Sequence, residues 1–158
     1  MMGRREFIIS ASSLLLLGFN SKNTSTFEVI AIRIWPSRDY TRIAIEHKKQ
    51  DLRINTLVLR DPDRLVINLI GKNLSESLKS IITNLKFDDD YLKKIRVGQF
   101  DKSTLRLVFE LKQPINSRVF SLDPVAHYHN RLVIDLYPIT PVDPLLALIQ
   151  KYELLDEE

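Results

Sequence analysis

The chain has 158 residues, enough for one compact domain with short extensions, and its 44% hydrophobic and 27% charged content is that of a folding sequence rather than a disordered one. It has no cysteine, which excludes disulfides, thiolate catalysis and cysteine-held zinc or iron–sulfur centres. The formal net charge of +3 is uneven: residues 1–25 carry +2, residues 141–158 carry −4, and the body between them carries +5. A mildly basic body suits an anionic polymer. Nucleic acid is not expected, because no dense Lys/Arg run with interleaved aromatics is present.

The N-terminus reads as an address. Arg4 and Arg5 precede an apolar run from Ile8 to Phe19, which gives way to polar Asn20-Ser21-Lys22-Asn23. Positive charge, a short apolar stretch and a polar exit form the layout of an export signal. Twelve residues are too few to span a bilayer, which needs roughly twenty. The paired arginines, with Phe7 two positions after the second, resemble a twin-arginine signal. No small-x-small site follows Phe19, so cleavage is expected somewhere in residues 20–26.

The body contains a repeat. Ile32-Arg33, Thr41-Arg42-Ile43-Ala44-Ile45-Glu46 and Arg64-Leu65-Val66-Ile67-Asn68-Leu69 return as Ile95-Arg96, Leu105-Arg106-Leu107-Val108-Phe109-Glu110 and Arg131-Leu132-Val133-Ile134-Asp135-Leu136. The offsets are 63, 64 and 67 residues, so the drift falls in the loops. Each copy predicts about four strands, near residues 28–35, 41–47, 53–60 and 64–70, then 93–100, 104–111, 115–122 and 131–137. They are rich in β-branched and aromatic residues and separated by Pro, Asp, Asn and Ser. Alternation places Ile30, Ile32 and Ile34 on one face against Arg33 and Trp35, and Leu105, Leu107, Phe109 and Leu111 against Arg106, Val108 and Glu110. Leu74, Leu78, Ile81, Ile82 and Leu85 keep helical spacing, which predicts one connecting helix over residues 75–85. The fold class is therefore mainly β: two symmetric, duplicated antiparallel four-stranded sheets packed together, with that helix covering an edge or face.

From residue 138 onward, Pro138, Pro141 and Pro144 punctuate the chain. Asp143 suits an N-cap and Pro144 the first helical position. Leu145, Leu148, Ile149, Tyr152 and Leu155 then form the apolar stripe of a short linker helix, which either docks on the sheets or meets a partner. The division is thus an export signal over 1–25, a folded body over 26–140 and a linker over 141–158.

Four segments in order carry a family resemblance. Residues 32–42, Ile-Arg-Ile-Trp-Pro-Ser-Arg-Asp-Tyr-Thr-Arg, resemble the opening of the AMIN domain of Gram-negative N-acetylmuramoyl-L-alanine amidases. So do Asp61-Pro62-Asp63-Arg64-Leu65-Val66, Lys94-Ile95-Arg96-Val97-Gly98-Gln99-Phe100, and Arg131 through Pro138. The likeness covers about residues 28–140, and Asp143 to Leu148 resembles the start of the linker in those enzymes. It implies two symmetric four-stranded sheets, a periplasmic location, peptidoglycan binding and recruitment to the division septum with its proteins. In that family a following domain carries the hydrolysis, with zinc held by histidines and a glutamate; the zinc-binding motifs have no counterpart in this sequence, so no catalytic residue, metal or other cofactor is expected in it. A second reading is an assembly module like the AMIN domains of pilus secretins.

Candidate binding residues follow from faces and turns. Arg33, Arg42, Arg96 and Arg106 share the less apolar strand faces with Glu46 and Glu110. They serve either as cross-strand ion pairs or as a platform for glycan hydroxyls and peptide carboxylates, which the guanidinium fork suits. Trp35 and Tyr40 flank a turn, where they either complete the rim of the core or stack on sugar rings. His127 and His129 stand two apart; they read as a polar loop ahead of the last strand, and with only His47 besides, no zinc-ligand set forms.

Overall fold

The computed structural model describes residues 23–139 and Leu145. Residues 1–22 of the signal assigned from sequence, and all of the assigned linker but Leu145, lie outside the described residues, whereas Asn23, Thr24 and Ser25 lie within them. Over residues 23–139 ten strands and one helix follow in order: β1 (Ser25–Thr26), β2 (Val29–Trp35), β3 (Thr41–His47), β4 (Arg53–Leu59), β5 (Arg64–Ile70), β6 (Lys72–Asn73), α1 (Glu76–Asn84), β7 (Leu92–Asp101), β8 (Thr104–Leu111), β9 (Ile115–Leu122) and β10 (Asn130–Pro138). They build two four-stranded antiparallel sheets, sheet I in the order β2-β3-β10-β9 and sheet II in the order β4-β5-β8-β7, while β1 and β6 pair in parallel.

The two sheets are the fold class that the repeat implies, but neither sheet is one copy of it. Each copy folds as two local hairpins, and the segment after its second strand carries the chain across to the other sheet. Sheet I joins hairpin β2–β3 of the first copy to hairpin β9–β10 of the second through the β3·β10 ladder. Sheet II does the converse through β5·β8. Each equivalent pair of positions is thereby brought together across copies: Arg42 lies opposite Asp135, and Arg106 opposite Asn68.

Inward-facing residues of both sheets form one core. Ile43, Ile45, Leu132, Ile134 and Leu136 meet Leu65, Ile67, Leu69, Leu105, Leu107 and Phe109, all fully or almost fully buried. The period-2 pattern of β8 holds from Leu105 onward, with Leu105, Leu107, Phe109 and Leu111 buried and Arg106, Val108 and Glu110 partly exposed; Thr104 at the strand's start is buried as well. In β2 it fails at one residue. A β-bulge between Val29 and Ala31 shifts the alternation, so Val29 enters the core with Ile32 and Ile34 against it, whereas Ile30 is exposed. The expected inward placement of Ile30 is therefore corrected.

Helix α1 forms where Ser75 supplies an N-cap: its Oγ accepts from the Leu78 N–H at 3.2 Å and donates to the Phe27 carbonyl at 2.8 Å. Leu78 is buried, with Ile81, Ile82 and Leu85 packed against the core. The helix lies across β2 and β7, an edge strand of each sheet. The loop after it is fixed by Asp89, which is buried. Its carboxylate accepts from the Thr41 hydroxyl and from the backbone N–H groups of Tyr91 and Leu92.

His47 gives the fold a pH dependence. The ring is buried beside Phe27 at 5.4 Å, Nδ1 lies 2.8 Å from the Lys48 carbonyl, and buried Nε2 has no hydrogen-bond partner among the described residues. Burial, chiefly, holds its pKa below the ordinary 6.5; Lys72 lowers it further, against the Lys48 carbonyl. A depressed histidine leaves stability intact above the unfolded pKa, and stability falls as pH drops from there toward the folded pKa. The melting temperature should therefore be flat just above pH 7 and decline as the pH falls below the ordinary histidine value of about 6.5. His47→Leu should remove that decline, and an unchanged profile in the variant would contradict the assignment.

Candidate binding surfaces

Because both inner faces enter one core, the outer faces of the sheets look in opposite directions. On sheet I, register aligns Trp35, Arg42, Asp135 and Arg118 in one row across the four strands. Arg42 grips Asp135 with both branches of its fork, Nε to Oδ1 and Nη2 to Oδ2, each at 2.7 Å. Asp135 is 1% exposed, and its hydrogen bonds raise the Arg42 pKa further above its ordinary value. Tyr40 and Tyr137 stack beside this pair at 5.3 Å, and the Tyr137 hydroxyl donates to Asp135 at 3.3 Å. One row further, Arg33 pairs with Glu46 at 2.8 Å. Trp35 is half exposed at the rim.

Sheet II carries the equivalent rows with one chemical difference. Arg96 pairs with Glu110 as Arg33 does with Glu46. Arg106, the equivalent of Arg42, finds a neutral amide where Arg42 has a carboxylate: its Nε donates to the Asn68 side-chain oxygen at 2.8 Å. Its guanidinium lies 3.5 Å from the centre of the Phe100 ring, and Phe100 is 58% exposed. Among the described residues Arg106 has no ion pair. Arg96, Gly98, Phe100, Arg106 and Val108 surround a depression of about 260 Å³ on this face.

The six residues expected to bind thus divide between two surfaces. Arg33, Trp35 and Arg42 belong to sheet I, with Tyr40 in the loop just ahead of β3; Arg96 and Arg106 belong to sheet II. The cross-strand ion pairs foreseen with Glu46 and Glu110 are present, but the partners of Arg42 and Arg106 were not foreseen. The signal was available: Asn68 and Asp135 hold the same place in Arg-Leu-Val-Ile-x-Leu. Phe100, the platform under Arg106, was also missed, although alternation along its strand from Arg96 through Gly98 puts it on the same outward face.

His127 and His129 lie exposed in the β9–β10 loop, beside a left-handed Ala126 (φ 52°). Among the described residues no group of three or more His, Asp or Glu side chains converges to hold a metal.

A family model for the AMIN domain matches residues 31–136, and the chain belongs to that family. It is 38% identical over 161 residues to N-acetylmuramoyl-L-alanine amidase AmiC of Escherichia coli O6:H1, covering 99% of this chain and 38% of that protein. It is also 38% identical over 131 residues to the AmiC amidase of Neisseria meningitidis serogroup B, covering 82% of this chain and 31% of that one. The chain thus spans less than two-fifths of the length of these curated relatives.

Proposed function

We propose that this chain is the peptidoglycan-targeting module of an N-acetylmuramoyl-L-alanine amidase, acting in the periplasm and at the division septum. The observation that carries the reading is the outer face of sheet II. There Arg106 keeps a cation free of any acidic partner among the described residues, stacked on exposed Phe100 and next to Arg96. An unneutralised guanidinium above an aromatic ring offers bidentate bonds to carboxylates and an apolar surface to a sugar ring. Membership of the AMIN family and likeness to two amidases support the same ligand. In this reading hydrolysis belongs to a separate domain, and the module concentrates it on its substrate.

The whole chain should sediment with purified peptidoglycan sacculi and stay in solution without them; a chain that remains soluble in both cases overturns the proposal.

Delivery to the periplasm rests on Arg4, Arg5 and Phe7, which we assign to the twin-arginine export machinery. Arg4→Lys combined with Arg5→Lys should hold a reporter fusion in the cytoplasm. Undiminished periplasmic delivery of that double variant would rule the route out.

A further inference from the structure

The edge of sheet II holds a second feature that the outer faces do not use. Between α1 and β7 runs a groove of about 670 Å³. Five consecutive β7 residues, 93–97, line it. Successive side chains of a strand point to opposite faces, so five in a row can share one groove only where the strand is seen edge-on. Among the described residues β7 is the terminal strand of its sheet, paired to β8 alone. The groove therefore runs along a main-chain edge that no described strand pairs, whose N–H and C=O groups are obligate hydrogen-bonding partners.

Its charge is one-sided. Lys79 on α1, Lys86 after it, and Lys93 and Lys94 on β7 all line the groove and are exposed, and no acidic residue lines it. None of these four lysines has an ion pair among the described residues. Arg96, at the same wall, also borders two depressions of the outer face, so the groove is continuous with the surface that carries Arg106. Ile82, Leu85, Phe87 and Val97 supply an apolar lining.

Main-chain edge, apolar lining and unopposed lysines select a different ligand from a sugar. A glycan offers hydroxyls and pyranose faces; a short peptide with free carboxylates offers amides to the edge, methyl groups to the lining and anions to the lysines. We propose that the α1/β7 groove binds the peptide portion of peptidoglycan, with its carboxylates held by Lys79, Lys86, Lys93 and Lys94. This inference rests on the peptidoglycan reading above and adds the part of the polymer that is recognised.

The test titrates the whole chain with two soluble probes by calorimetry: a disaccharide-tetrapeptide released from peptidoglycan, and glycan strands stripped of their peptides. The disaccharide-tetrapeptide should bind and the stripped strands should bind far more weakly. Lys79→Gln with Lys93→Gln should weaken binding of the disaccharide-tetrapeptide about tenfold, as the loss of two partly screened ionic contacts implies. Lys79→Arg with Lys93→Arg should largely restore it. Unchanged melting temperatures would exclude misfolding, since both lysines are exposed. Equal binding of the two probes, or parent-like binding by the double Gln variant, overturns the groove assignment. Sacculi still pelleting the parent chain and the variant alike would confine that failure to the groove. If the parent chain itself fails to pellet in the presence of sacculi, the peptidoglycan reading has failed.

Discussion

Phe109→Ala should destabilise the fold by about 3–5 kcal/mol, the usual cost of emptying a buried phenylalanine site. Phe109 is completely buried at the middle of β8, directly opposite Leu65 of β5 and Ile95 of β7. It therefore ties hairpins from both copies of the repeat to the shared core. The native state of a domain this size is worth about 5–15 kcal/mol, so much of the margin would go. In thermal unfolding followed by circular dichroism, the loss should appear as a fall of roughly 10–25 °C. A change below about 1 kcal/mol would show that sheet II is not packed as described. Ile30→Ala provides the contrast, since the bulge in β2 turns that side chain to solvent; its effect should stay within about 0.5 kcal/mol.

Asp89→Ala is the second large effect, of about 3–5 kcal/mol, and its cause is polar. The side chain is 4% exposed and serves three donors: the hydroxyl of fully buried Thr41 and the N–H groups of Tyr91 and Leu92. Truncation would leave them without an acceptor, and each buried orphan costs about 1–3 kcal/mol. Asp89→Asn keeps one oxygen and should cost less than half as much. Because Asp89 anchors the segment between α1 and β7, the alanine variant should also loosen Lys86 and Phe87 at the groove. Urea unfolding of both variants provides the check; equal midpoints for Asn and Ala would contradict the hydrogen-bond account.

Much of this fold could be read directly from residue patterns. Strands such as β8 announce themselves because one face is core and the other is not, which imposes period 2 on Leu105 to Leu111. Helix α1 was legible from its apolar stripe, and Ser75 caps it as that residue type does. What periodicity does not carry is pairing between distant segments. The repeat shows two equivalent units but contains no term that decides whether β3 meets β5 or β10, and the exchange between sheets decides it. Asp89 sits in Asp88-Asp89-Asp90, where three identical side chains give no hint that the middle one is buried and its neighbours exposed. The arginines were legible as candidates because they interrupt apolar strands. Their unequal partners, Asp135 and Asn68, emerge only from register. The lysines of the groove come from three elements and had no sequence pattern to unite them.

The inequality between Arg42 and Arg106 is where the functional reading meets its sharpest test. Arg42 is committed to Asp135 inside the fold, whereas Arg106 has no acidic partner among the described residues, and the proposal gives its charge to an external anion. The decisive measurement is a sedimentation isotherm on purified sacculi for Arg42→Gln and Arg106→Gln, at matched salt and each checked for its melting temperature. Arg106→Gln should weaken binding about tenfold with little change in melting temperature, while Arg42→Gln should lower the melting temperature and leave the affinity of the folded chain close to that of the parent. The opposite pattern, with affinity lost through Arg42 and kept without Arg106, would contradict the assignment of peptidoglycan to the face of sheet II.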